Sequence, residues 1–220
     1  MYLVLILAGV TLFVGGIIAF ARWSERRRTV QLQAMAEQLG LNFQATGDAS
    51  LQKRLARFRL FRQGRSRKLK NLVVGDTGQI NISIFDYQFS VGGGNHQSTV
   101  SQTVALLESP DLQLPAFALR PENMLDKLGG AIGLHRDINL EDHPRFSRTF
   151  LLICDDESAV REVFHKQLVE KLENRKGISM EAVPGLVIIY NSRHRKKAEH
   201  LKSFFAESLE LYHLLIPKNR

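Results

Sequence analysis

From Met1 to Ala21 no side chain carries a charge, and Arg22, Arg26, Arg27 and Arg28 follow within seven residues. An apolar helix of about twenty residues rises about 30 Å, the hydrocarbon thickness of a bilayer, with every backbone group bonded inside its own segment. The pattern predicts a transmembrane anchor over residues 1–21. Arginines on its C-terminal side place Met1 outside and the C-terminal domain in the cytoplasm. Ala19-Phe20-Ala21 fits the small-x-small rule of a cleaved export signal. A cleaved signal, however, wants a basic start and an apolar run of only about 7–15 residues.

Beyond the arginines, Leu32, Met35, Ala36 and Leu39 recur at i, i+3, i+4 and i+7, the stripe of an amphipathic helix that Gly40 closes. Residues 22–48 read as a juxtamembrane basic collar with this helix, and residues 49–220 as the folded domain. Leu51, Leu55 and Phe58 fit a short helix, after which Phe58-Arg59-Leu60 alternates as a strand would. From Asn71 the period is two. Leu72–Val74 is a strand, Gly75–Gly78 a turn, and Ile80–Phe89 and Ser98–Leu107 are strands joined by a hairpin loop at Gly92-Gly93-Gly94-Asn95.

Phe117–Arg120 is a short strand stopped by Pro121, which opens a small helix over Glu122–Leu128 closed by Gly129-Gly130. Ala131–Arg145 reads as a looser segment and Phe146–Cys154 as a strand. Asp155–Ser158 then offers capping oxygens to a helix carrying Val160, Val163, Phe164, Leu168 and Leu172. Gly177 ends that helix, Ile178–Val183 and Leu186–Tyr190 form a hairpin about Pro184-Gly185, and a last helix runs from His194 to Leu215. Neighbouring hairpins with late helices predict an α+β fold, a mainly antiparallel sheet with flanking helices, preceded by one N-terminal transmembrane helix.

A composition of 44% hydrophobic and 24% charged residues excludes a disordered tail. The formal net charge is +8, and its location matters more than its size. Nine basic residues, Lys53, Arg54, Arg57, Arg59, Arg62, Arg65, Arg67, Lys68 and Lys70, fall in one window without an Asp or Glu, and that window accounts for the whole excess. Arg193, Arg195, Lys196 and Lys197 make a second cluster. Cys154 is alone, so it forms no internal disulfide and reads as a small buried hydrophobe.

No H-E-x-x-H pair, P-loop, G-x-S-x-G elbow or strand-bound G-x-G-x-x-G occurs, so no catalytic residue, cofactor or metal is assigned. The least ordinary polar residue is Asp86, inside Ile84-Phe85-Asp86-Tyr87, because a mid-strand Asp is disfavoured unless it meets water or a partner. Arg120, Glu122, Arg136 and Asp137 are candidate partners. A structural ion pair is the favoured reading of Asp86, and a catalytic carboxylate the rival.

The stretches Ile84–Tyr87, Gln102-Thr103-Val104, Leu114–Glu122 and Phe146-Ser147 resemble a family of uncharacterised bacterial proteins with one N-terminal membrane helix and a domain of unknown function. The resemblance spans roughly Asn71 to Tyr190. It implies a bacterial membrane protein, which with the orientation above would sit in the inner membrane, and it brings no site residue with it.

These readings converge on a binding or scaffolding module beside the lipid bilayer, in which the nine-residue basic segment contacts anionic lipid head groups, with an unidentified protein as a further partner. Two alternatives stand beside it: a membrane-tethered enzyme around Asp86, and nucleic-acid binding through the same basic segment with Phe58 and Phe61 stacking on bases.

Overall fold

Among the described residues, nine strands form one antiparallel sheet: β1 (Asn42–Gln44), β2 (Arg65–Asp76), β3 (Asn81–Val91), β4 (Ser98–Glu108), β5 (Phe117–Pro121), β6 (Arg136–Asp137), β7 (Phe150–Cys154), β8 (Ile178–Val183) and β9 (Leu186–Asn191). Their spatial order is β1-β2-β3-β4-β9-β8-β5-β7-β6, and every pairing is antiparallel. The α-helices of the described residues are α1 (Tyr2–Gln38), α2 (Ala49–Leu55), α3 (Pro144–Thr149), α4 (Glu157–Val163), α5 (Lys166–Glu173) and α6 (Leu201–Leu215). This computed structural model describes residues 1–94, 97–122, 136–175 and 177–216.

The two-residue period of the strands sorts their side chains onto two faces. On β3, Ile82 and Ile84 join one core with Leu32 of α1, Phe146 of α3, Val160 of α4, Leu168 of α5 and Phe204 of α6. Phe85, Tyr87 and Phe89 point the other way, into a second core roofed by Leu51 and Leu55 of α2 and by Phe58, Leu60 and Phe61 just beyond it. Asp86 and Thr103 share the α1 face with Ile84 and Ala105, one step past the apolar patch. β1 pairs only with Leu72–Val74, so the first half of β2 is an open edge.

The transmembrane helix expected over residues 1–21 is corrected: among the described residues, no helix is long and apolar enough to cross a membrane. The apolar run and the charged run are one continuous helix, and Gly9, Thr11, Gly15 and Gly16 dilute its apolar character. Ile6, Leu7, Leu12, Phe13, Phe20 and Trp23 on its N-terminal half are exposed, whereas Leu32 and Ala36 on its C-terminal half are buried against the sheet.

Other boundaries moved for local reasons. Phe58–Leu60 is no strand, because Phe58, Leu60 and Phe61 all turn into the second core through a 3-10 turn at Leu60–Arg62. Phe146 lies in α3, opened by Pro144 in its first turn, and β7 begins only at Phe150. The helix expected after Asp155 is broken at Phe164-His165 into α4 and α5. Residues 123–135 lie outside the described residues, and with them most of the expected Glu122–Leu128 helix and the start of the Ala131–Arg145 segment; Asn95 of the hairpin loop does too.

Gly64 enters β2 with φ +59°, and a Cβ there would collide with the backbone carbonyl of Ser90 and stand 2.7 Å from Phe89 Cδ2. Gly78 has φ +81° but faces open space. Gly64→Ala should therefore lower the unfolding free energy by about 3 kcal/mol or more, and Gly78→Ala by only about 1 kcal/mol, in denaturant titrations.

Candidate functional site

Asp86 sits at the centre of the α1 face of the sheet, 7% exposed. Arg28 of α1 grips it bidentately, with Nε 2.7 Å from one carboxylate oxygen and an NH2 group 2.8 Å from the other. Arg195, in the segment after β9, donates its Nε at 3.2 Å. The Asn71 amide donates at 2.9 Å and the Thr103 hydroxyl at 3.2 Å. The cluster extends outward as Arg195 engages both oxygens of Glu25 on α1, and Lys70 lies 3.8 Å from the same carboxylate.

Local structure aims these groups. Asn71 adopts φ +54° where β2 slips register between Lys70 and Val73, and the bulge turns its amide toward Asp86 while its carbonyl accepts from Thr29 of α1 at 2.8 Å. An Asn tolerates that backbone better than most residues. The segment bearing Arg195 is tied to β4, since Arg193 N–H donates to Gln102 and Lys196 N–H to the Thr103 hydroxyl. Glu25, Arg28 and Thr29 fall three or four residues apart and so share one face of α1.

Burial pushes the Asp86 carboxyl upward, but the hydrogen bonds and charge of Arg28, then the charge of Arg195 and the amide of Asn71, outweigh it and hold the group below its ordinary value. Glu25 is likewise lowered, first by its hydrogen bonds from Arg195. A carboxylate with both oxygens engaged and its proton affinity reduced is a poor general base. This arrangement locks α1 to three strands, through Asn71 of β2, Asp86 of β3 and Thr103 of β4.

Arg120 is not part of the cluster. It lies on β5, four strands from β3, and its charge acts on Glu181 and Tyr190. Glu122 is exposed at the end of β5. The Arg136 and Asp137 backbones form β6 at the opposite edge of the sheet, and their side chains lie outside the described residues. The true partners, Arg28 and Arg195, belonged to the collar and to the second basic cluster.

The second buried carboxyl is Glu181 on β8, 3% exposed. It accepts the backbone N–H groups of Arg59 at 2.6 Å and Leu60 at 3.2 Å and the Tyr190 hydroxyl at 3.1 Å. Burial raises its pKa, and burial together with the neighbouring Glu181 raises that of Tyr190 well above the ordinary value. Glu181 thus tethers the start of the 3-10 turn to the sheet. Its sequence signal, an acid in the middle of Ile178–Val183, was the same one that marked Asp86.

Six of the nine window cations are exposed: Lys53, Arg57, Arg62, Arg65, Arg67 and Lys68. Only Arg54, with Glu108 at 2.9 Å, and Lys70, with Glu25, have a carboxylate partner among the described residues. Arg57, Arg62, Arg65 and Arg67 instead donate to backbone carbonyls of Pro184, Ala56, Gly92 and Gln63, which orders them without neutralising them. Phe58 and Phe61 are buried at 1% and 7% exposure, so neither ring is open to a nucleobase. Cys154 is buried in the first core, and burial pushes its thiol up. Among the described residues, no group of three or more His, Cys, Asp or Glu is placed to hold a metal ion.

No protein-family profile matches the chain, and no curated protein matches it. The fold does match a solved structure. The mycobacterial trehalose monomycolate transport factor A, TtfA, superposes with a TM-score of 0.56 over 89% of this chain and 99% of its own, at 13% identity. The likeness is one of fold.

Removing the central carboxylate would leave two part-buried guanidiniums facing each other. Asp86→Asn should cost about 3–5 kcal/mol in chemical unfolding, and in a double-mutant cycle with Arg28→Gln the losses should fall well short of adding. Because the folded pKa of Asp86 is lowered, its contribution is complete above the ordinary value of 3.8 and disappears as pH falls through the lower folded value. The wild type should accordingly lose stability below about pH 3.8 more steeply than Asp86→Asn, which is read from unfolding midpoints across that range.

Proposed function

We propose that the chain is a non-catalytic binding module that lies against an anionic lipid surface and serves in lipid handling. The observation that carries this reading is that Arg65, Arg67 and Lys68, exposed and without a carboxylate partner among the described residues, lie at the end of the domain from which the apolar half of α1 emerges.

That geometry follows from the register. Leu41 lies beside Gly75 and Ile82, while Glu25 and Arg28 lie beside Lys70 and Asp86. Continuing toward Met1, α1 runs in the direction in which β3 runs from Asp86 to Val91, past Lys68, Arg67 and Arg65 at the start of β2. Exposed apolar side chains and uncompensated cations therefore share one end. Contiguous exposed apolar surface marks an interaction site, and each Lys or Arg near an anionic leaflet contributes about 1 kcal/mol. The fold neighbour, named for the transport of trehalose monomycolate, a lipid, supports a role of this class.

Sedimentation of the full-length chain with vesicles of increasing anionic fraction tests the reading. Binding should rise with that fraction and fall with added salt, and the combined Arg65→Gln, Arg67→Gln, Lys68→Gln variant should bind up to about a hundredfold more weakly. Sedimentation indifferent to lipid charge in both proteins would remove the proposal.

A further inference from the structure

A cavity of about 240 Å³ opens where the turn after α2 faces the sheet, between Arg57, Arg59 and Arg62 on one side and β5, the end of β7 and β8 on the other. Arg59 is the unusual member. It is half-buried, its backbone N–H is held by Glu181, and its guanidinium makes no hydrogen bond or ion pair among the described residues. A guanidinium carries five donors, and those of Arg59 are left free to meet an anion in the cavity.

Its neighbours are fixed in place with donors to spare. Arg57 uses one NH2 group on the Pro184 carbonyl at 3.3 Å. Arg62 uses Nε on Ala56 O at 2.9 Å and an NH2 on Arg57 O at 3.3 Å. The acids at the cavity are Asp155 on the far wall and Glu181 beneath, whose oxygens already serve Arg59, Leu60 and Tyr190. Three guanidiniums outnumber them, and Ala118, Ile153 and Val183 supply an apolar wall. Planar forks converging from one side match the tetrahedral oxygens of a phosphate, and the volume exceeds that of a lone ion, leaving room for a small substituent.

We infer that Arg57, Arg59 and Arg62 form a binding site for a phosphoester bearing a small polar group, such as the glycerophosphate that a phospholipid head group and a free metabolite share. The site goes beyond charge attraction at the surface. It is defined by Arg59, which plays no part in the lipid-facing set of Arg65, Arg67 and Lys68.

The test titrates the full-length chain calorimetrically with glycerol 3-phosphate and, in a second arm, sediments it with phosphatidylglycerol vesicles. Arg59→Gln removes no bond of the fold, so its thermal unfolding should match the wild type, and Arg57→Gln provides an independent second variant. Saturable binding of glycerol 3-phosphate that weakens about tenfold or more in both variants supports the site and identifies a soluble phosphoester. Vesicle binding that weakens likewise, with no heat from glycerol 3-phosphate, supports the site and identifies a lipid head group. Binding of both probes unchanged by the variants, or absent from the wild type, overturns it. Glycerol 3-phosphate binding sensitive to Arg59→Gln, alongside vesicle binding indifferent to lipid charge, would keep the site and discard the membrane reading.

Discussion

A carboxylate taken out of water survives only where the groups around it replace its lost hydration, and the conformation of this protein is arranged about one such group. Asp86 gathers two guanidiniums, an amide and a hydroxyl from four separate stretches of chain. The demand explains features that look unrelated along the sequence. Asn71 bulges β2 to deliver its amide, α1 is rotated so that Glu25, Arg28 and Thr29 face the sheet, and the segment after β9 folds back onto β4. Loss of the Asp86 carboxylate would set the Arg28 and Arg195 guanidiniums against each other, so this one charge ties α1 to the sheet.

The basic segment obeys a different rule. Arg57, Arg62, Arg65 and Arg67 are anchored by carbonyl oxygens, which restrict their motion and leave their positive charge intact. Anchoring of this sort lowers the entropy that a long side chain surrenders on meeting an anion. Apolar members of the same segment, Phe58, Leu60 and Phe61, are consumed by the second core. Residues that build the fold and residues proposed to meet an anion thus alternate within eighteen positions, and the likeness in fold to a transport factor concerns the scaffold that carries them.

Much of the sheet was legible because its strands alternate: Ile82 and Ile84 against Phe85 and Tyr87 is a two-residue period that needs no tertiary information. Asp86 was legible as an anomaly for the same reason, since it interrupts a buried run. Its partners were not. Arg28 and Arg195 stand 58 and 109 positions away, and nothing local distinguishes a guanidinium that will be buried from one that will stay in solvent. Phe146 and Phe150 are both apolar, so periodicity alone could not reveal that the first belongs to a helix and the second to a strand. At the N-terminus an uncharged run suggested a self-contained span, whereas the helix that forms continues without a break into its charged half.

The open first half of β2 has a consequence for solubility. Among the described residues, backbone donors and acceptors between Arg65 and Lys70 have no neighbouring strand on their outer side, which is the usual template for one chain to pair with another. Like-charged residues along that rim, together with the left-handed kinks at Ser66 and Asn71, keep a second molecule from aligning there. The cations that would greet an anion are also gatekeepers against self-association, so a chain stripped of them would stand closer to fibril-like stacking.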